Sequence, residues 1–198
     1  MKVSVVVPCY NEEDNVEPCY NELKRVLSGA GYEYEIVFVN DGSKDNTLEK
    51  LINLHELDKN VKVIDLSRNF GKEIALTAGL DYARGDVVIP FDADLQDPPE
   101  VILQLIEKYK EGYDVVNAVR LKRDGETFLK KITSKYFYKI INTLADIEIP
   151  KDVGDFRLIS KDVLEAVRSL KERKRFMKGI FAWVGFKTAS VYYKRAPR

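Results

Sequence analysis

VVIPFDADLQDPPEVILQLIEKY, residues 87–109, passes from one structural period to another within a single stretch. Val87 to Phe91 is an apolar run rich in β-branched side chains and too short for a helix, so it reads as a strand. Val101, Ile102, Leu105, Ile106 and Tyr109 recur at three- and four-residue spacing, which is the helical period. A strand without polar alternation must be covered on both faces, and the polar residues 92–100 have to connect it to the helix that covers one of them.

The same unit repeats along the chain. Val3 to Val7 precedes a helical pattern from Val16 to Leu27, Ile36 to Val39 precedes Leu48 to Leu57, and Val61 to Leu66 precedes Ile74 to Ala83; Val115 to Val119 gives a fifth strand. Strands alternating with helices predict an α/β fold, a mainly parallel central sheet flanked by helices. After residue 120 the rhythm changes to a long helix from about Glu126 to Leu144, a loop from Asp152 to Arg157, helices near Lys161 to Leu170 and Arg173 to Ile180, and a strand around Thr188 to Tyr193. With no linker in view, residues 1–198 read as one domain in which 120–198 closes over a site built by 1–119.

The 198 residues suffice for a real core. Lys plus Arg and Asp plus Glu both total 32. The balance conceals a polarity, because residues 1–99 hold 10 basic and 19 acidic side chains. A basic second half suits a phosphate group or an anionic membrane surface, and the neutral total argues against nucleic acid. Cys9 and Cys19 have neither a metal spacing nor a disulfide framework, which points to a reducing compartment. Nowhere do 18 apolar residues run together, so the chain as given is expected to be soluble, without a transmembrane segment.

In parallel sheets ligands bind beyond the carboxyl ends of the strands. The residues there are Pro8 to Glu13, Asn40 to Ser43, Ser67 to Lys72, Asp92 to Gln96, and Arg120 with Arg123. Asp92 and Asp94, two apart, supply hard oxygen ligands for a divalent ion such as Mg or Mn, with the Gln96 amide as a third. Such an ion neutralises the charge that grows on a diphosphate leaving group. Asp97, followed by Pro98, Pro99 and Glu100, reads as a helix N-cap. Asp41 can accept from a uracil imide or a ribose hydroxyl, Tyr10 can stack on a base, and Glu12 can reach a ribose. No GxGxxG follows the first strand, which excludes the dinucleotide fingerprint.

Residues 68–72 enter a helix at Gly71, which suits an anion or simple capping equally. Arg120, Arg123 and Arg157 are phosphate candidates because arginine bonds in a planar, bidentate way and stays charged. Asp155 either orients an acceptor or acts as a base, or else pairs with Arg157. His55, the single histidine, stands among charged residues and reads as surface. Phe128, Ile132, Tyr136, Ile140 and Leu144 form a stripe beside Lys130, Lys131, Lys135 and Lys139, either core packing or a face for an anionic membrane.

Through PCYNEE, VNDGSKDNT and DADLQDPPE the sequence resembles the family-2, GT-A-type glycosyltransferases over almost its whole length. SRNFGKEIALTAGLD, DVGDFRLIS and ERKRFMKGIFAWVGF resemble the polyprenyl-phosphate branch, which includes dolichol-phosphate mannose synthases and bacterial bactoprenol glucosyltransferases. The resemblance implies inverting transfer of a hexose, foremost glucose from UDP-glucose, to undecaprenyl or a related polyprenyl phosphate at the cytoplasmic face of the cell membrane. It implies that Pro8, Tyr10, Glu12, Asp41, Asp92, Ala93 and Asp94 bind the UDP-sugar, and that Asp92, Asp94 and Gln96 hold Mg or Mn. It further implies that Arg120, Arg123, Arg157, Lys135 and Arg175 meet phosphates, with Asp94, Asp155 and Arg120 in the catalytic set. Asn40 stands where the family usually carries the first of two aspartates before Gly-Ser. A polyprenyl phosphate has a second pKa near ~6, so it is largely an anionic nucleophile at neutral pH and needs no strong general base. Other readings are a cytosolic family-2 transferase acting on a saccharide or protein, and a non-catalytic sugar-nucleotide-binding module. A homo-oligomer is compatible with any of them.

Overall fold

Residues 2–9 read KVSVVVPC, and Val3, Val5, Val6 and Val7 are all inaccessible to solvent. A strand buried on both faces belongs in the middle of a parallel sheet. In the computed structural model, which describes residues 1–121, 153–170 and 177–194, that strand is β1 (Lys2–Cys9), paired in parallel with β2 (Glu33–Asn40) on one side and β4 (Val87–Pro90) on the other. β3 (Val61–Asp65) pairs in parallel with β2. The helices α1 (Val16–Gly29), α2 (Thr47–Leu57), α3 (Lys72–Tyr82) and α4 (Val101–Lys110) make the successive crossovers. The expected units of strand and helix are all present.

Alternation along β1 sorts the core into two layers, as a period of two requires. Val3, Val5 and Val7 join Val16, Cys19 and Leu23 of α1, Leu51 of α2 and Ile102, Leu105 and Ile106 of α4. Val6 faces the other way, with Ala75, Leu76 and Leu80 of α3. On that second face Gly79 is required: an added Cβ would collide with Val6.

Among the described residues the sheet has seven strands in the order β3-β2-β1-β4-β6-β5-β7. β5 (Val115–Arg120) runs parallel to β7 (Thr188–Tyr193), and β6 (Val153–Ser160) lies between β4 and β5, antiparallel to both. The loop expected over 152–157 is therefore corrected to an interior strand. Charged Asp155 and Arg157 disguise it, yet Phe156 and Leu158 fill the α1/α4 side and Ile159 the α3 side. The second half of the chain thus completes the sheet itself. Ser160 then caps α5 (Lys161–Ser169), accepting from the Val163 N–H, and α6 (Met177–Trp183) packs on the α3 side.

Among the described residues no helix is long and apolar enough to cross a membrane. Cys9 and Cys19 are free and buried, and burial pushes both thiols up. His55 is half-buried, with Nδ1 2.7 Å from the Val61 carbonyl oxygen. The helix expected over 126–144, with its apolar stripe and its lysines, lies outside the described residues, as do Arg123, Lys135 and Arg175.

Candidate active site

The strand order reverses direction between β1 and β4, since β1, β2 and β3 build outward on one side and β4 returns to the other. At such a switch point the loops leaving the two strands diverge and open a crevice. A cleft of about 310 Å³ lies there, and Pro8, Tyr10, Glu12, Asp41, Asp92, Ala93 and Asp94 all line it. These are the seven residues expected to bind a nucleotide-sugar, drawn together from three strand ends. Asn69, Gly71 and Lys72 complete the wall on the α3 side.

Among the described residues two non-glycine residues have left-handed backbone, Asn11 at φ 53° and Leu95 at φ 52°. Each directly follows a cleft residue, Tyr10 or Asp94. Strain of this kind persists where surrounding contacts hold it, and it marks functional loops. At Asn11 the contacts are explicit: its N–H donates to Ser43 Oγ at 3.0 Å and its side-chain oxygen accepts from the Lys44 N–H at 2.9 Å. Next along, the Glu12 N–H donates to Thr47 Oγ1 at 2.8 Å, and the Glu13 N–H to Asp45 at 3.2 Å. The loop carrying Tyr10 and Glu12 is thereby fastened to the loop after β2. Burial pushes the Asp45 carboxyl up, but bonds from the Thr47 hydroxyl and N–H and from Glu13 outweigh it and hold Asp45 below the usual carboxylate range.

Asp41 is 2% exposed, and its two oxygens accept from the N–H groups of Phe70 and Gly71 at 2.7 and 2.9 Å. The carboxylate expected only to bind a base or ribose also clamps the loop that precedes α3. Asn40 is buried beside it, donating to Asp65 at 2.7 Å and accepting from the Ser43 N–H at 3.2 Å. Gly42, at φ 65°, lets the β2 loop run against the backbone of Arg68 and Asn69, where a Cβ would not fit.

At the β4 end, Asp94 is exposed and accepts from the Gln96 N–H at 3.2 Å. Gln96 meets Asp94 through its backbone and is absent from the residues lining the cleft. Asp92 Oδ1 lies 2.6 Å from Lys72 Nζ, which also reaches Asp155 Oδ2 at 3.0 Å. Burial pulls the lysine down, but the Coulombic attraction of the two carboxylates outweighs it and holds the ammonium above its ordinary value. Lys72 was legible, with hindsight, from position alone. It opens α3, where the helix dipole disfavours a cation, so an acidic partner is needed to keep it there.

The donor set fits a hard divalent cation. Asp92 and Asp94 offer carboxylate oxygens, the Gln96 amide is close in sequence, and the Cys9 thiol in the wall is turned to the Val7 carbonyl. Among the described residues no three His, Cys, Asp or Glu side chains gather into a site. Oxygens from the substrate would have to complete the coordination, as with Mg held by one or two carboxylates and phosphates.

The structure gives Asp97, Arg120, Arg157 and Asp155 contacts that the sequence did not suggest. Glu100, not Asp97, is the N-cap of α4, and Asp97, 2% exposed, accepts from Arg120 at 3.0 Å and from the Tyr193 hydroxyl at 2.7 Å. Arg120 Nε also donates to the Tyr193 hydroxyl at 3.1 Å, so two of its N–H groups are spent inside the fold. Arg157 is buried, its guanidinium 4.6 Å from the Phe181 ring centre and donating to the Gly154 carbonyl at 2.8 Å. Burial lowers its pKa to about 10, and nearby Asp155 and Glu73 counter that. A guanidinium enclosed in this way serves packing of β6 against α6 rather than contact with a phosphate in solution. Asp155 pairs with Lys72, a partner the sequence did not suggest, and also lies near enough to Arg157 to act on its charge.

The model of the glycosyl transferase family 2 matches residues 4–168. An uncharacterized glycosyltransferase, sll0501, of Synechocystis is 53% identical over 198 residues, and the bactoprenol glucosyl transferase of Shigella phage SfV is 50% identical over 199. Both alignments cover 100% of this chain but 62% and 64% of those proteins, so the chain spans under two thirds of their length. Among solved structures, glucosyl-3-phosphoglycerate synthase from Mycobacterium tuberculosis, in complex with Mn2+, UDP and phosphoglyceric acid, superposes with a TM-score of 0.70 at 21% identity, covering 100% of this chain and 70% of that one. TarS of S. aureus, residues 1–349 with UDP-GlcNAc, gives 0.66 at 20%, covering 100% and 60%. These likenesses establish a GT-A-type fold. The family match runs from within β1 to within α5, and this chain belongs to glycosyl transferase family 2.

Proposed function

We propose that this chain is the catalytic unit of an inverting hexosyltransferase that moves glucose from UDP-glucose to a polyprenyl phosphate, with Mg or Mn, working from the cytoplasm at the inner face of the membrane. The observation that carries the reading is the gathering of Tyr10, Glu12, Asp41, Asp92 and Asp94 around one cleft at the switch point. The relatives named bactoprenol glucosyl transferase supply the acceptor and the sugar.

In the reaction the bond from the glucose C1 to the UDP oxygen breaks as a bond from C1 to an oxygen of the lipid phosphate forms, and UDP leaves with the electron pair. Tyr10, 43% exposed at the mouth of the cleft, offers a stacking face for uracil, and Glu12 and Asp41 offer acceptors for ribose hydroxyls and the imide. Asp92, Asp94 and Gln96 would hold the divalent ion, whose charge offsets that of the departing diphosphate. The acceptor is already anionic, so Asp155 orients more than it deprotonates, and positioning supplies most of the acceleration. Arg120 keeps N–H groups beyond the two bonded to Asp97 and Tyr193 with which to meet a phosphate.

The test is release of UDP by the protein supplied with UDP-glucose, Mn or Mg and a short polyprenyl phosphate, against saccharide and protein acceptors. Asp94→Asn should reduce release by at least ~100-fold while melting as the parent does. Full turnover in Asp94→Asn, or in excess chelator, would overturn the metal assignment. Equal turnover with the lipid omitted and a saccharide supplied would overturn the acceptor.

A further inference from the structure

The residues lining the cleft carry four carboxylates, from Glu12, Asp41, Asp92 and Asp94, and one cation, Lys72. Such a wall repels a diphosphate until positive charge enters it. Lys72 already sits at the point of need, because its ammonium bridges Asp92 at the end of β4 and Asp155 on β6. An oxygen of Asp92 engaged at 2.6 Å by an ammonium has lost one of its directions for a metal ion. A bound ion would also place two like-charged groups on one carboxylate. Lys72 is flexible, its side chain is 47% exposed, and it starts a helix, so its head can leave Asp92 without disturbing the core.

We infer that Lys72 is the resident counter-ion of the donor site, and that it exchanges Asp92 for a phosphate oxygen of the substrate when metal and nucleotide enter together. The inference rests on the assignment of Asp92 and Asp94 to the metal made above. Its consequence is an order of binding. The metal alone competes with the Lys72 ammonium and binds weakly; with the nucleotide present, the ammonium has another anion to meet and the competition ends. Lys72 thereby positions charge on both sides of the reacting bond, keeping Asp155 as partner on the acceptor side.

The experiment measures Mn2+ binding by water-proton relaxation, with and without UDP, in the parent protein, Lys72→Met and Lys72→Arg. Thermal melting confirms that each variant is folded. In the parent, UDP should tighten Mn2+ binding on the order of ten-fold or more, a usual size for coupling between two ligands. Lys72→Met should bind Mn2+ alone about ten-fold more tightly than the parent and lose most of the coupling to UDP, while its turnover falls. Lys72→Arg, which keeps the charge, should restore weak binding of the metal alone. A lysine with a merely structural role gives the opposite sign, because its loss would loosen the site. Mn2+ binding that persists with UDP but is unchanged or weaker in Lys72→Met without UDP overturns the exchange and leaves the metal site standing. No Mn2+ binding by the parent in the presence of UDP overturns the metal site and the exchange with it.

Discussion

Replacing Asp97 by Asn removes a buried charge that Arg120 of β5 and Tyr193 of the neighbouring strand β7 both bond. Asp97 is 2% exposed, Tyr193 is 5% exposed, and the Arg120 side chain is 33% exposed. Losing one member of a fully buried ion pair costs about 3–5 kcal/mol. Arg120 can rehydrate in part, and Asn still accepts one hydrogen bond, so the expected loss for Asp97→Asn is about 2–3 kcal/mol. Tyr193→Phe removes one hydroxyl from the same carboxylate and should cost about 1–1.5 kcal/mol. Because both act on one carboxylate, the double variant should fall short of the sum by about 1 kcal/mol. The assay is guanidinium or urea unfolding of the four proteins, with melting as a check; at this chain length 2–3 kcal/mol lowers Tm by roughly 5–10 °C. A helix cap predicts otherwise, since Asn caps as well as Asp and Asp97→Asn would be almost silent. A loss under ~0.5 kcal/mol, or strict additivity with Tyr193→Phe, would refute the buried network.

The other structural predictions concern the far end of the sheet and the β2 loop. Glu35, 3% exposed, accepts from Lys2 and Ser4 at 2.5 and 2.6 Å and from the Arg84 N–H at 2.6 Å. Burial pushes its carboxyl up, yet these bonds outweigh it and leave the pKa lowered. A carboxyl depressed on folding gives stability that is present above its unfolded pKa of about 4.3 and is lost as pH falls through its folded value. Glu35→Gln should therefore cost about 2 kcal/mol at pH 7, and urea titrations at stepped pH should show that difference shrinking below about pH 4.5; a constant difference down to pH 3 contradicts the linkage. Gly42→Ala must place a Cβ at φ 65° against the Arg68 and Asn69 backbone, and should cost about 2–4 kcal/mol and weaken UDP binding measured by calorimetry. A change below ~0.5 kcal/mol with unaltered UDP affinity would show that the two loops do not bear on each other.

The strand and helix units of the first 119 residues could be read from periodicity because burial imposes it. A valine run such as Val3 to Val7 survives only under cover on both faces, and the polar residues that follow each strand had nowhere to go but the rim. The cleft residues were found by the same logic, since topology fixes which strand ends meet once the strands are parallel. β6 escaped because its code is mixed: Phe156, Leu158 and Ile159 carry the apolar pattern while Asp155 and Arg157 interrupt it, and their partners, Lys72 and Phe181, lie far away in sequence. Asp97 was misread for a related reason. Local sequence favours a cap before two prolines, but Arg120 and Tyr193 arrive from β5 and β7 and make the better bonds.

Fold class, the number and order of the first elements, and the chemical type of the site were set by local pattern and residue identity, which need no knowledge of distant neighbours. The pairing of charges was not. Lys72 joins Asp92 and Asp155, Asp97 joins Arg120 and Tyr193, and Arg157 lies on Phe181, because packing of the sheet brings together side chains separated by many residues. A buried charge takes whichever partner the fold delivers within hydrogen-bond reach, and that delivery is a property of three dimensions.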